Sequence, residues 1–208
     1  IMKFPDQIHK DLNLFINDYS KSINTSFNQI SKSQISNVIS VIEKAIKNKK
    51  IIFTCGNGGS SAIAEHFICD LTKGSSNDSK VQPKSISLSS NMSLFSAIAN
   101  DIGYESVFAY QLEKYANKND VLLVISSSGN SANIVNAIKK AKLLKMKTIC
   151  FVGFSGGKAK KISDYSIHVN FDNYGIVEDV HQSLMHMISQ YIRLKNFKNK
   201  KQISKKFF

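Results

Sequence analysis

Residues 121–142 read VLLVISSSGNSANIVNAIKKAK, and the side-chain pattern changes in the middle of the stretch. Val121 to Ile125 is an unbroken aliphatic run, the pattern of a strand buried on both faces. A loop of small polar residues follows it, and a helix starts near Ala132. The same alternation of short β-branched runs with helix-length segments recurs at 51–54 (IIFT), 84–89 (KSISLS), 147–152 (KTICFV) and 165–169 (YSIHV). Continuous apolar strands separated by helices predict an α/β fold whose parallel sheet is covered on both faces.

Outside this core the period is helical. Two amphipathic helices are expected over about 6–29 and 33–49, the second from Ile35, Val38, Ile39, Ile42 and Ile46. A long helix at about 177–196 presents Val177, Val180, Leu184, Met187, Ile188 and Tyr191 on one face, expected to pack on the sheet or on a partner subunit. With 208 residues, 42% of them hydrophobic, the chain suits one domain. Residues 1–198, including N-terminal helices over about 1–50, are read as that domain and 199–208 as a basic tail. The longest apolar stretch, Val121–Ile125, is far short of the roughly 20 residues that span a bilayer. The start, IMKFPDQIHKD, has no apolar leader core, so a cytoplasmic protein without a membrane partner is expected. Cys55, Cys69 and Cys150 are too scattered for a disulfide framework or a thiolate zinc site and read as reduced thiols.

The net charge of +13 raises nucleic acid as a partner, but its distribution argues against it. The segment 195–208, KNFKNKKQISKKFF, holds six lysines and no acid, leaving +7 on the other 194 residues. Arg193 is the only arginine, and the planar guanidinium is the preferred reader of bases and phosphates. A solvated lysine surface with a frayed C-terminus is the expectation.

Two loops follow strands and open helices, which is where open α/β sheets bind ligands. In FTCGNGGSSAIAEHFICDLTKG (53–74), Gly56, Gly58 and Gly59 let backbone amides approach a ligand. The Lys-Ser/Thr ending of a nucleotide-phosphate loop is missing, and the dinucleotide pattern fails at Ser61. In ISSSGNSAN (125–133), Ser126, Ser127, Ser128 and Ser131 place hydroxyls at a positive helix end, an uncharged cradle for a phosphate monoester. N-capping by Ser128 or Ser131 would use one of them.

Together with AIANDIGYESVF (97–108) and EDVHQSLMHMI (178–188), these loops resemble the sugar isomerase (SIS) family, and more narrowly its sedoheptulose-7-phosphate isomerases, over about 33–195. The resemblance implies a flavodoxin-like three-layer sandwich with a five-stranded parallel sheet and an N-terminal helical extension. It also implies a homotetramer with active sites shared between subunits. The implied reaction converts sedoheptulose 7-phosphate to D-glycero-D-manno-heptose 7-phosphate through an enediol, supplying heptose for lipopolysaccharide or capsule. Implied substrate-binding residues are Asn57, Gly58, Gly59, Ser60, Asp70, Asn100, Asp101, Ser126, Ser127, Ser128, Ser131 and Glu178. Zinc is implied on His66, Asp70, Glu178 and His186, with Asp70 as the carbon base and His186 handling the oxygen proton.

Two of those positions depart from the family. Asp70 stands where a glutamate is usual, and Glu178 where a glutamine is. His66 and Asp70 share a helix face at i, i+4. Glu178 and His186 are separated by about 12 Å of helical rise, which calls for a bent helix start or for sites on different subunits. His181 competes as a ligand on spacing alone. The plainer readings are a surface pair for His66 and Asp70 and a core histidine for His186, with Met185 and Met187 as packing. His9 and His168 receive no role, and Asp172 and Asp179 read as solvated acids. The competing functions are a non-catalytic phosphosugar-binding module, a replication-initiation partner, or an isomerase of another phosphosugar. His186, absent from the replication branch, favours an enzyme.

Overall fold

In the computed structural model, which describes residues 2–206 with the side chain of Gln202 excepted, the chain forms a three-layer α/β sandwich. Two short strands, β1 (Met2–Lys3) and β7 (Phe171–Asp172), pair in parallel at one margin. The main sheet has five strands, all parallel: β2 (Ile51–Gly56), β3 (Lys84–Ser87), β4 (Val121–Ser126), β5 (Lys147–Val152) and β6 (Tyr165–His168). Their order is β3-β2-β4-β5-β6, the flavodoxin-like arrangement. The order reverses between β2 and β4, and the register sets Gly56 beside Ile125. The glycine loop and the serine loop therefore leave the sheet side by side at the switch point.

Alternation along β4 divides the core. Val121, Leu123 and Ile125 face one helical layer, and Leu122 and Val124 the other, as the two-residue period of a strand requires. The first layer contains α2 (Lys32–Lys47), α3 (Gly59–Cys69) and α8 (Tyr174–Lys195), with α1 (Leu12–Asn28) lying outside against α8. The second contains α4 (Met92–Asp101), α5 (Ala109–Tyr115), α6 (Ala132–Leu143) and α7 (Gly157–Ile162).

Several expected boundaries move, each for a local reason. The first helix starts at Leu12 rather than near 6 because the Asp11 carboxylate caps the Asn13 amide. The last begins at Tyr174 rather than 177, since Asn173 caps Ile176. Its buried stripe includes Met185 and Ile192, whereas Tyr191 is exposed. The C-terminal segment is not simply frayed: Phe197 is buried, the Lys198 amide donates to Asp78, and a 3₁₀ helix runs Lys200–Lys205. Ile1 and the tail's last two residues, 207–208, lie outside the described residues.

Candidate active site

The glycine loop turns at Gly58, whose φ of 55° belongs to the region glycine tolerates best. A side chain there would meet no protein atom within 4 Å, so the backbone faces open space. At Gly59, the first residue of α3, an added Cβ would collide with the carboxylate of Glu178. Glu178 thus rests on the backbone at the mouth of the loop. Burial, followed by the neighbouring charge of Asp179, raises the Glu178 pKa above the ordinary carboxylate value.

The two loops are tied together by a pair of amides. Asn57 Nδ2 donates to Asn133 Oδ1 at 2.9 Å, and Asn133 Nδ2 returns a bond to Asn57 Oδ1 at 2.9 Å. The Tyr104 hydroxyl also donates to Asn57 Oδ1, at 3.1 Å. Asn133, buried in the first turn of α6, and Tyr104 have no place in the reading of the sequence. Nothing in single-residue spacing marks them, although Asn133 closes the ISSSGNSAN stretch.

In the serine loop, Ser126 Oγ accepts from the Gly129 amide at 3.2 Å, and Ser128 Oγ from Asn130 at 3.3 Å. Ser131 occupies the N-cap of α6, but its hydroxyl makes no capping bond. Ser127 Oγ is buried without a hydrogen-bond partner. An unsatisfied buried hydroxyl costs about 1–3 kcal/mol, a penalty that a ligand oxygen would remove. Capping therefore does not account for these side chains. Ser60 is buried directly behind the glycine loop. Asn100 and Asp101 bond to each other at 2.8 Å on the exposed end of α4, with no hydrogen bond to either loop among the described residues.

A second cluster forms where α3 packs against α8. The helix widens at Asp70 into a π-turn over Asp70–Gly74, with the Ser75 amide donating to the Asp70 carbonyl at 2.7 Å; such turns recur at functional sites. Asp70 Oδ2 lies 2.8 Å from His186 Nδ1, and Asp70 Oδ1 lies 3.6 Å from His66 Nε2. The imidazoles stand edge to face with centroids 4.8 Å apart. The Ser189 hydroxyl is shared between the His186 carbonyl at 2.9 Å and Asp70 Oδ2 at 3.3 Å. His186 is thus a partly exposed cluster member rather than a core histidine. A cavity of about 200 Å³ beside it is bounded by Asp70, His186, Ser189 and Arg193. A larger recess, about 630 Å³ between α2 and α8, lies away from both loops.

One ligand atom from each of His66, Asp70 and His186 can be chosen with all three within 4.8 Å of one another. Imidazole nitrogen and carboxylate oxygen suit a divalent metal, so the donor set fits one. Glu178 is not in this group within the single chain, which leaves, of the two expected arrangements, the one that shares ligands between subunits. α8 runs unbroken from Tyr174 to Lys195, so no bend brings Glu178 round to His186, about 12 Å further along the axis. The residue that does join the cluster is Gln182, whose Nε2 lies 2.9 Å from His66 Nδ1 and 3.0 Å from His186 Nε2. Its i, i+4 spacing from His186 was the available signal.

The other histidines and acids stand apart. His181 is fully buried near Phe151, and neither ring nitrogen completes a hydrogen bond. Burial lowers its pKa to about 4, with the backbone at Val152 offsetting part of the drop, so it is a neutral core residue and not a ligand. His168 bonds to the Phe154 carbonyl and His9 to Asp18. Asp179 is not merely solvated, because it accepts the Tyr19 hydroxyl at 2.6 Å.

Comparison with known proteins agrees with this architecture. Residues 17–153 match the SIS domain model. A phosphoheptose isomerase of Helicobacter pylori (strain P12) is 42% identical over 154 residues, covering 74% of this chain and 80% of that protein. A probable phosphoheptose isomerase of Thermoplasma acidophilum is 42% identical over 145 residues, or 70% of this chain and 78% of its own length. Among solved structures, a phosphoheptose isomerase from Francisella tularensis superposes with a TM-score of 0.81 at 27% identity, over 88% of this chain and 96% of that one. One from Neisseria gonorrhoeae gives 0.79 at 28%, over 86% and 97%.

Proposed function

The chain belongs to the SIS-domain family, with phosphoheptose isomerases among its relatives, and from that premise we propose that it converts sedoheptulose 7-phosphate to D-glycero-D-manno-heptose 7-phosphate. The observation that carries this reading is the Asp70–His186 pair at 2.8 Å, which joins the end of the helix that the glycine loop opens to α8. His66 lies seven residues beyond Gly59, about 10 Å of helical rise. A substrate whose phosphate and reacting carbons lie at opposite ends of a long chain suits two stations separated in this way.

Ser126, Ser127, Ser128 and Ser131 hold the phosphate in this reading, with the free amides of α6 facing its charge. Asn57, Gly58, Gly59 and Ser60 position the sugar, with Glu178, Asn100 and Asp101 at its margin. Anchoring the remote phosphate turns binding energy into orientation of the reacting carbons. Asp70 takes the proton from C1 and returns it to C2, and the enediol forms in between. His186 handles the oxygen proton through Nδ1, the nitrogen facing Asp70, moving it from O1 to O2 as the carbonyl relocates. The donor chemistry of His66, Asp70 and His186 fits zinc, which when bound would polarise the carbonyl and stabilise the developing enolate.

The same proposal treats residues 1–198 as one domain with 199–208 as its tail, and places the protein in the cytoplasm; no described helix is long and apolar enough to cross a membrane. It also includes a homotetramer with shared sites. Ile8, Leu12, Leu14 and Ile16 on and before α1 are exposed, an apolar surface of the kind that subunits cover.

The test is to incubate the purified protein with sedoheptulose 7-phosphate, with and without a chelator, and follow aldose formation. Chelator-sensitive conversion is expected. No conversion at any metal loading would leave a binding module in its place.

A further inference from the structure

We infer that Tyr104 is a further substrate-binding residue of the proposed isomerase, its phenolic oxygen accepting a hydrogen bond from a hydroxyl of the sugar chain; the inference rests on the reading that Asn57 positions the sugar. In the stretch AIANDIGYESVF, Asn100 and Asp101 turn to each other, and the side chain that reaches the glycine loop is Tyr104. Its hydroxyl meets Asn57 Oδ1 at 3.1 Å, and its ring stands edge to face against Phe95 with centroids 5.9 Å apart. Tyr104 is nonetheless 53% exposed. A tyrosine held at both ends of its side chain and still open to solvent presents its oxygen at the loop in a fixed place.

The direction of each proton in this group is set from the backbone. The Ile134 amide, in the first turn of α6, donates to Asn133 Oδ1 at 2.9 Å. A backbone N–H can only donate, so the oxygen of the Asn133 amide lies on that side and Nδ2 on the other. The reciprocal pair then orients Asn57, whose Oδ1 faces Asn133 Nδ2. Because Asn57 Oδ1 can only accept, the single proton of the Tyr104 hydroxyl is spent on it.

Two capacities remain unused. Tyr104 Oη keeps its lone pairs, and Asn57 Nδ2 keeps one N–H, since the other goes to Asn133 Oδ1; neither atom makes a further hydrogen bond among the described residues. Beside the glycine loop the protein therefore offers one fixed acceptor and one fixed donor, both uncharged. A polyhydroxylated chain has hydroxyls that donate and accept and can meet both. The phosphate end, assigned to the serine loop, needs neither.

The test compares two probes, sedoheptulose 7-phosphate and inorganic phosphate, titrated by calorimetry into the full chain and into its Tyr104→Phe variant. Phenylalanine keeps the ring against Phe95 and removes only the hydroxyl. The variant is expected to bind the sugar phosphate about fivefold or more weakly, the worth of one hydrogen bond, and to bind inorganic phosphate within about twofold of native. KM should rise with kcat within a few fold, the pattern of an interaction made in the ground state as well as in the transition state.

Unchanged affinity for the sugar phosphate would overturn the assignment. An equal loss for both probes would overturn it too, because the hydroxyl would then be a brace for the loops. Asn57→Ala separates contact from action through Asn57: adding Tyr104→Phe in that background is expected to weaken sugar phosphate binding further. A double variant that binds as Asn57→Ala alone does would overturn the contact and leave Tyr104 as a positioning residue. A native chain that binds sedoheptulose 7-phosphate no better than inorganic phosphate would overturn the sugar-binding reading itself, and this inference with it.

Discussion

Asp70 and His186, 116 residues apart in the chain, are joined by a 2.8 Å contact between carboxylate and imidazole that fastens α3 to α8. The shorter side chain of aspartate still reaches its partner. A π-turn starts at Asp70.

Asp70→Asn removes the proton carrier while keeping the shape. Turnover is expected to fall by about 10²–10⁴, whereas affinity for a phosphorylated ketose, measured by calorimetry, stays within a few fold. Turnover within a few fold of native would take Asp70 out of the mechanism.

Ser127→Ala together with Ser128→Ala is expected to weaken phosphosugar binding by tenfold or more. Ser127→Ala alone should leave the melting temperature unchanged or raise it, because it deletes a buried hydroxyl that has no partner. Unchanged affinity in the double variant would move the phosphate elsewhere.

Asn133→Ala loses both bonds of the amide pair and leaves Asn57 Nδ2 without that acceptor, while Oδ1 keeps the Tyr104 hydroxyl. A cost of about 1–3 kcal/mol is expected in urea unfolding, together with a raised KM as the two loops lose their tie. A stability and KM equal to native would show that the pair does not hold the loops.

Gly59→Ala sets a methyl group against the Glu178 carboxylate. It should destabilise the protein by about 1–3 kcal/mol, and in a Glu178→Ala background much of that penalty should disappear, giving a coupling above about 0.5 kcal/mol. Strict additivity of the two changes would mean that the contact carries no energy.

His181 gives the pH dependence its sign. Its pKa is about 4 in the folded chain against an ordinary value of 6.5, so below pH 6.5 the unfolded chain takes up a proton that the native chain refuses. The contribution is complete above pH 6.5 and is lost as pH falls toward 4, by about 3 kcal/mol in all. His168, also lowered, chiefly by burial, adds a smaller slope of the same sign. Urea unfolding at pH 7 and pH 5 should show the loss, and His181→Leu should remove most of it. An equal loss in that variant would assign the dependence to other groups.

Much of this architecture is legible in the chain because the physics is local. The aliphatic run at Val121–Ile125 and the runs at 51–54 and 147–152 can be little other than buried parallel strands, and Gly58 marks its own turn. The His66–Asp70 pair follows from helical spacing. What spacing cannot supply is the rotation of one helix against another. Which residues of α8 meet the start of α3 and which meet His66 depends on how the two helices lie across each other, which is a property of packing. The same holds for Asn133, which meets Asn57 only because the sheet order sets β2 beside β4, and for His181, whose spacing from Glu178 is that of a ligand but whose ring points into the core.

The most direct measurement is a crystal structure of the Asp70→Asn variant soaked with sedoheptulose 7-phosphate, in which slow turnover traps the sugar. The phosphate is expected within hydrogen-bonding distance of the Ser127 and Ser131 hydroxyls, beside the Asn57–Asn133 pair. An empty crevice, with the phosphate held at some other part of the surface, would contradict the account.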